Sequence, residues 1–411
     1  MNVRAAGGAC FPDPVDILRS NWANGRRLLA LLVVCFCLLC AASLRILWGA
    51  EGMNDSMGRL LGGDFIAFWA AGKAYMAGEP VQAYNLDWFA KFTQHLVGEH
   101  APRLAFNNPP TFYFLAIPLS LMPFLPALIV WLAASYAAFA LVIRRQLHNA
   151  PSVALIAMAL AAYPGIYGNG LQGQTGFLLA AVFGVALLTL DSRPVLSGLL
   201  FALLAWKPQF GLLVPIALIA GRRWTVIFSA AGFGIAMGLA SLAVSGIASW
   251  TAFLQEMSEM RELLLNKGVI GYHLMQSLFG ALRLYHVPLA IAYPVQIAFS
   301  AAIAILVWRV WAGQADARLK HAALLTGSLL ISPYFLDYDL VMTAPAIALL
   351  VSYGLDKGFG PWEQTGLALA FICPPLARFA TFFLGLPLGL MCVGLLFTFS
   401  LLKAQAQPEG L

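Results

Sequence analysis

Long unbroken apolar runs separated by short polar interruptions set the pattern of this chain. Runs such as Leu28 to Leu44, Leu125 to Ile143 and Val287 to Val310 match the roughly 20 apolar residues that carry a helix across a bilayer core. None shows the two-residue alternation of a barrel strand. The pattern predicts an all-α fold, a polytopic membrane helical bundle. Further crossings are expected at Ser152 to Ile166, Gly176 to Leu190, Trp224 to Val244, Ala322 to Tyr334 and Asp339 to Val351, with two more ending near Lys403. Thr111 to Met122 is too short to cross and reads as a re-entrant piece. Val195 to Ala220 carries arginines at both ends and Lys207-Pro208 in its middle, so it predicts two half-helices that turn at KPQF. The total is about ten to twelve transmembrane helices in one domain, residues 28–403.

Basic residues orient this bundle, because lysine and arginine are retained on the cytoplasmic side. Arg19, Arg26 and Arg27 precede the first run, and Arg144, Arg145 and Arg193 close later ones. The N-terminal segment 1–27 and the tail 404–411 are therefore expected in the cytoplasm, and the loop 48–108 on the opposite, periplasmic or extracellular face of the inner (plasma) membrane. Four polar stretches then share that face: the loop holding Asp64, the segment GNGLQGQTG, the loop from Trp250 to His286, and SPYFLDYD. Within the first loop, short amphipathic helices are expected over FIAFWAAGKAYM, stopped by Gly78, and over Leu86 to Val97.

Composition agrees with the pattern, since 61% of the residues are hydrophobic and only 10% are charged. The net charge of +6 reports orientation, and no nucleic acid partner is implied. The six cysteines fall mostly within apolar runs and lack CxxC spacing, which supports neither a disulfide framework nor a metal site. No metal and no cofactor is expected.

The polar interruptions hold the candidate chemistry. Asp64 precedes a helical segment and reads locally as its N-cap. At the mouth of an apolar protein, beside Phe65, Phe68 and Trp69, the same carboxylate has the setting of a general base toward an acceptor hydroxyl. Tyr84 and Asn108 flank the return into the membrane. Gln172 and Gln174 are amides near membrane depth, where they either tie helices together or meet hydroxyls of a polar ligand. Lys207 lies deep in an apolar stretch, which costs roughly 2.5 kcal/mol or more unless it faces protein, water or an anion; a phosphate would suit it, with Lys73 or Arg261 as the loop cations that replace it if KPQF does not reach the site. Asp337, Tyr338 and Asp339 break a hydrophobic run, and tyrosines suit sugar rings. His273 stands in the large loop. The last two spans carry nothing singled out.

In order, AYMAGEPVQAYN, FNNPPTFYFLAIPLSLMPF, NGLQGQTGFLLAAV, LSGLLFALLAWKPQFGLLVPIALIAGRRW and SPYFLDYDLVM resemble glycosyltransferase family 87, one of the GT-C integral-membrane glycosyltransferases. The resemblance runs from about Gly63 to Val351. It implies inverting transfer of a hexose, mannose in the polyprenyl-phosphate-mannose-dependent members, from a polyprenyl-phosphate sugar donor to a lipid or glycan acceptor on the non-cytoplasmic face. It maps the family's acidic residue in the first external loop onto Asp64 as base. Many relatives carry histidine in the segment beginning SP, where this chain has Asp337, Tyr338 and Asp339. A transporter or flippase for a lipid-linked sugar and a non-catalytic scaffold are the competing readings, with membrane lipids as partners in each.

Overall fold

A computed structural model of the chain describes residues 19, 22–23, 25–99 and 101–406. Most of the expected N-terminal segment and the end of the tail lie outside them. The chain is an all-helical, polytopic membrane bundle. Among the described residues seven helices are long and apolar enough to cross a membrane: α1 (Gly25–Leu47), α5 (Phe124–Gln146), α11 (Trp224–Met260), α13 (Leu289–Ala312), α15 (Thr343–Lys357, with the 3-10 turn Asp337–Met342 before it), α16 (Glu363–Leu384) and α17 (Leu388–Gln405). An eighth is the pair α6 (Val153–Ala162) and α7 (Gly165–Gln172), bent by 57° where Pro164 breaks the helical hydrogen-bond ladder.

The remaining elements are shorter. The first loop holds α2 (Phe65–Met76) and α3 (Leu86–Val97), and the re-entrant piece holds α4 (Tyr113–Ser120). Then come α8 (Gly176–Leu188), α9 (Pro194–Leu203), α10 (Val214–Ala220), α12 (Leu278–Leu284) and α14 (Ala317–Leu330). At 13 and 14 residues, α8 and α14 rise only ~20 Å. Both are buried along nearly their whole length, so they are inner helices of the bundle and not lipid-facing spans.

The break at KPQF forms as expected. The chain leaves α9, turns through Leu204–Trp206 and Pro208–Phe210, and descends again in α10. Arg223 beyond α10 pairs with Asp191 before α9 at 2.5 Å, so the two half-helices return to one end and place Lys207 at their tip. The expected loop after Val244 is largely helical instead. α11 runs for 37 residues with one break at Gly246 (φ 77°), or ~56 Å, nearly twice the ~30 Å hydrocarbon thickness.

Two large apolar cores form among the described residues, beside a small third cluster of Leu32, Cys35 and Ala162 between α1 and α6. The larger joins α5, α8–α10 and α13–α17. The smaller gathers Phe65, Phe68, Phe106, Phe112, Tyr113 and Trp131 beneath the first loop, and fixes α2 against α4 and α5.

Candidate active site

The segment ahead of Asp64 is seated by glycines. Gly62 and Gly173 both have positive φ, and a Cβ on Gly173 would lie 2.6 Å from Phe65 Cβ. With both side chains absent, the loop and the end of α7 approach closely enough for Gly62 N–H to donate to Leu171 O (3.1 Å) and Asp64 N–H to Gln172 O (2.9 Å). GGD and LQGQ are therefore two halves of one feature. Asn169 clasps the turn from within: with its amide turned to the orientation that satisfies both ends, Nδ2 donates to Gln174 O (3.2 Å) and Oδ1 accepts from Gly176 N–H (3.0 Å).

Asp64 occupies the N-cap position of α2, yet its side chain makes no capping bond. Backbone carbonyls of Gly62 and Asp64 take the first helical N–H groups instead. The carboxylate turns to Gln174, whose Nε2 donates to Oδ2 at 2.7 Å and also reaches the Tyr338 hydroxyl at 3.3 Å. The other oxygen, Oδ1, receives no hydrogen bond from the described residues. Burial pushes the Asp64 carboxyl above the ordinary carboxylate range, against the pull of the Gln174 bond and the positive charge of Lys207. A carboxylate with one oxygen held, one free and an elevated proton affinity is suited to accept a proton from a hydroxyl.

At the other end of α2 the sequence expectation holds in detail. Gly78 N–H bonds Tyr75 O and Glu79 N–H bonds Ala74 O, a Schellman closure with glycine in the left-handed region.

Asp64 opens onto a cavity of about 650 Å³, also lined by Arg59, Tyr167, Gln172, Asp337, Tyr338 and Arg378. Arg59 donates through Nε and Nη2 to one Asp55 oxygen, Oδ2 (3.0 and 2.8 Å), and Arg378 Nε bonds Asp337 Oδ2 at 2.6 Å. Both guanidiniums keep donors free on exposed edges, with Arg59 61% and Arg378 42% exposed. The sequence expectations include neither arginine. Arg378 had a signal there, a lone charge following Pro374-Pro375 within an otherwise apolar helix; Arg59 had none.

The other expected residues are placed as follows. Lys207, expected to meet a phosphate, turns onto Asp339 at 2.9 Å, both groups largely buried, with its ammonium 5.3 Å from the Tyr338 ring centre. It does not line the cavity. Asp339 also accepts from Leu336 N–H, so it closes the turn that presents Asp337 and Tyr338. Lys73 sits over Trp69 (5.0 Å), nine residues or ~13 Å along the helix from Asp64. Tyr84 and Asn108 do not line this cavity: the Tyr84 hydroxyl donates to Asn108 O, and Asn108 Nδ2 donates to Trp206 O. His273 packs edge-on against Phe382; burial and the nearby Arg378 lower its pKa, partly offset by Asp337. The four polar stretches do meet, since Gln174 joins Asp64 to Tyr338 and Gln276 N–H bonds Phe335 O at 2.7 Å.

Comparison with known proteins adds the class. The profile of glycosyltransferase family 87 matches residues 106–333, more than half of the chain, and the protein belongs to that family. It is a membrane glycosyltransferase, which selects the enzyme over the transporter and scaffold readings. The matched span lies between Asp64 and Asp337 and contains Gln172, Gln174, Lys207 and His273. No curated protein matches the chain, and no solved structure does.

Proposed function

We propose that the protein moves a hexose, mannose being the first candidate, from a polyprenyl-phosphate sugar to a hydroxyl of a lipid or glycan acceptor, with inversion, on the non-cytoplasmic face. The observation that carries this reading is the Asp64 carboxylate, held by a neutral amide on one oxygen and free on the other, in a cavity that also holds two arginines with open donor edges. Asp64 takes the acceptor proton as the new glycosidic bond forms on the face of the sugar opposite the departing phosphate. Arg378 and Arg59 stabilise the charge that builds on the phosphate as it leaves, because guanidinium donors match phosphate oxygens in pairs. Lys207 serves this chemistry indirectly, by neutralising Asp339 and so fixing the turn that aims Tyr338 at Gln174.

A lipid-borne donor fits the surroundings. The walls of the cavity include Ile46 of α1, Pro164 between α6 and α7, and Pro374 and Phe379 of α16. The same three elements line a second, apolar cavity of about 330 Å³ through Leu32, Ala159 and Phe371, a place for prenyl units attached to the phosphate.

The test is transfer by the purified protein supplied with polyprenyl-phosphate mannose or glucose and a membrane lipid extract, read by mass spectrometry of the products. A hexose-extended lipid or glycan of inverted configuration is expected. Transfer from a nucleotide sugar in the absence of the lipid donor would overturn the donor assignment.

A further inference from the structure

Gln174 joins two residues of the cavity wall from behind. The lining includes Asp64 and Tyr338 but not Gln174, which is buried at 8% exposure. What Gln174 does for a substrate therefore passes through those two side chains. Its backbone is held on both sides: its N–H donates to Asn169 O (3.1 Å), and its O accepts from the Asn169 amide. The loop between α7 and α8 is pinned at this residue.

The side-chain amide is oriented by its bonds at both ends. Oε1 accepts from Thr175 N–H (3.3 Å), which leaves Nε2 to face Asp64 Oδ2 (2.7 Å) and the Tyr338 hydroxyl oxygen (3.3 Å). An amide nitrogen carries two protons, and an ionised carboxylate can only accept. One proton therefore goes to Asp64 and the other to Tyr338, whose oxygen is the acceptor in that bond. A phenol has a single proton of its own. No other described residue hydrogen-bonds the Tyr338 hydroxyl, so that proton is left for the cavity which Tyr338 lines.

We propose that Gln174 is a positioning residue that sets the direction of hydrogen bonding at the reaction site. By holding Asp64 Oδ2 it presents Oδ1 to the proton of the attacking hydroxyl. By donating to the Tyr338 oxygen it turns the Tyr338 O–H outward, as a hydrogen-bond donor to a substrate oxygen. A sugar hydroxyl has both a proton to give and lone pairs to receive one, and so fits either group. Tyr338 keeps its proton throughout. The proton that moves is the acceptor's: it passes to Asp64 as the acceptor oxygen bonds the anomeric carbon, and the sugar–phosphate bond breaks with its electron pair on the phosphate. This assignment rests on Asp64 as the proposed base and adds what aims it.

The experiment measures kcat/KM against pH, together with the unfolding midpoint, for the full-length protein and for Gln174→Met, Gln174→Glu and Tyr338→Phe. Polyprenyl-phosphate mannose or glucose is the donor and a membrane lipid extract supplies the acceptor. In Gln174→Met the carboxylate loses its donor at similar side-chain bulk. The acid limb is then expected to rise by about one to two pH units, the worth of one hydrogen bond to a charged group. Lys207, Asp337 and Asp339 act on Asp64 through charge and stay in place, so the movement reports Gln174. In Gln174→Glu two facing carboxyls share one proton, and the limb rises further. Tyr338→Phe keeps the ring beside Lys207 and should lower kcat/KM roughly tenfold with the limb unmoved. The same change made on Gln174→Met should cost much less, because the hydroxyl is no longer aimed. An acid limb that stays at the parent pH in folded Gln174→Met or Gln174→Glu, with only the midpoint lowered, overturns the positioning role, as does a parental kcat/KM in Tyr338→Phe. Retained transfer by Asp64→Asn would instead remove the base itself; an inactive Asp64→Asn with an unmoved limb in the Gln174 variants removes the positioning role alone.

Discussion

Asp64 and Asp339 belong to one cluster, joined through Gln174, Tyr338 and Lys207, and they are compensated in opposite ways. Asp339 is 1% exposed and carries Lys207 on one oxygen and a backbone N–H on the other, so neither oxygen lacks a donor. Asp64 has a single neutral donor and an oxygen open to the cavity. A buried charge with a full set of partners is architecture, because breaking it leaves its partner stranded. A charge left partly unanswered at the wall of a cavity is available for chemistry. The sequence draws attention to Lys207 first, as the costly lysine; the proposed mechanism gives that residue to the scaffold and Asp64 to the reaction.

Substituting the two acids separates these roles most sharply. Asp64→Asn should lower transfer by about 10²–10⁴-fold, the range of a general base, with no loss of folding stability. Asp339→Asn should instead cost about 3–5 kcal/mol of stability by stranding the buried Lys207, seen as reduced yield and a lower unfolding midpoint. The double change Lys207→Met with Asp339→Leu should recover much of that loss, since replacing a buried pair by apolar side chains is frequently neutral. If Asp339→Asn folds normally and loses only transfer, the assignment of roles is reversed.

The next effect sharpens the contrast between cations. Arg378→Ala should lower kcat/KM by roughly tenfold or more, the worth of a charge-assisted hydrogen bond, with Arg378→Lys intermediate because lysine lacks the paired donors. Lys73→Ala, at the far end of α2, should leave steady-state rates unchanged. Initial-rate kinetics over donor concentration check both.

Acidity supplies the mildest test. Since burial raises the Asp64 carboxyl, activity should fall as pH drops through that raised value, at higher pH than an ordinary aspartate would show. Stability responds with the opposite sign. Between the ordinary and the raised value the folded protein binds more protons than the unfolded chain, so the Asp64 contribution makes folding weaker as pH rises. Asp64→Asn should remove this pH-dependent component, and parallel rate and unfolding profiles would show the two trends crossing. A rate profile without the elevated acid limb would count against Asp64 as base.

By itself the sequence determined what period, turn chemistry and hydropathy determine. The apolar runs specified helices in a membrane, Gly78 specified the end of α2, and Lys207-Pro208 between two arginine-flanked runs specified a broken hairpin. These are local signals or depend only on the cost of charge in lipid. Tertiary structure decided everything that depends on which side chain meets which. Asp64 satisfies the sequence rule for a cap and yet makes no capping bond, because Gly62 and Gly173 bring Gln174 within 2.7 Å and offer the carboxylate a better donor. Arg59 and Arg378 lie 319 positions apart in the chain, and only the packing of α16 beside the first loop puts both on one cavity. Spacing encodes neighbours along a helix; the partner of a charge across the bundle is set by folding alone.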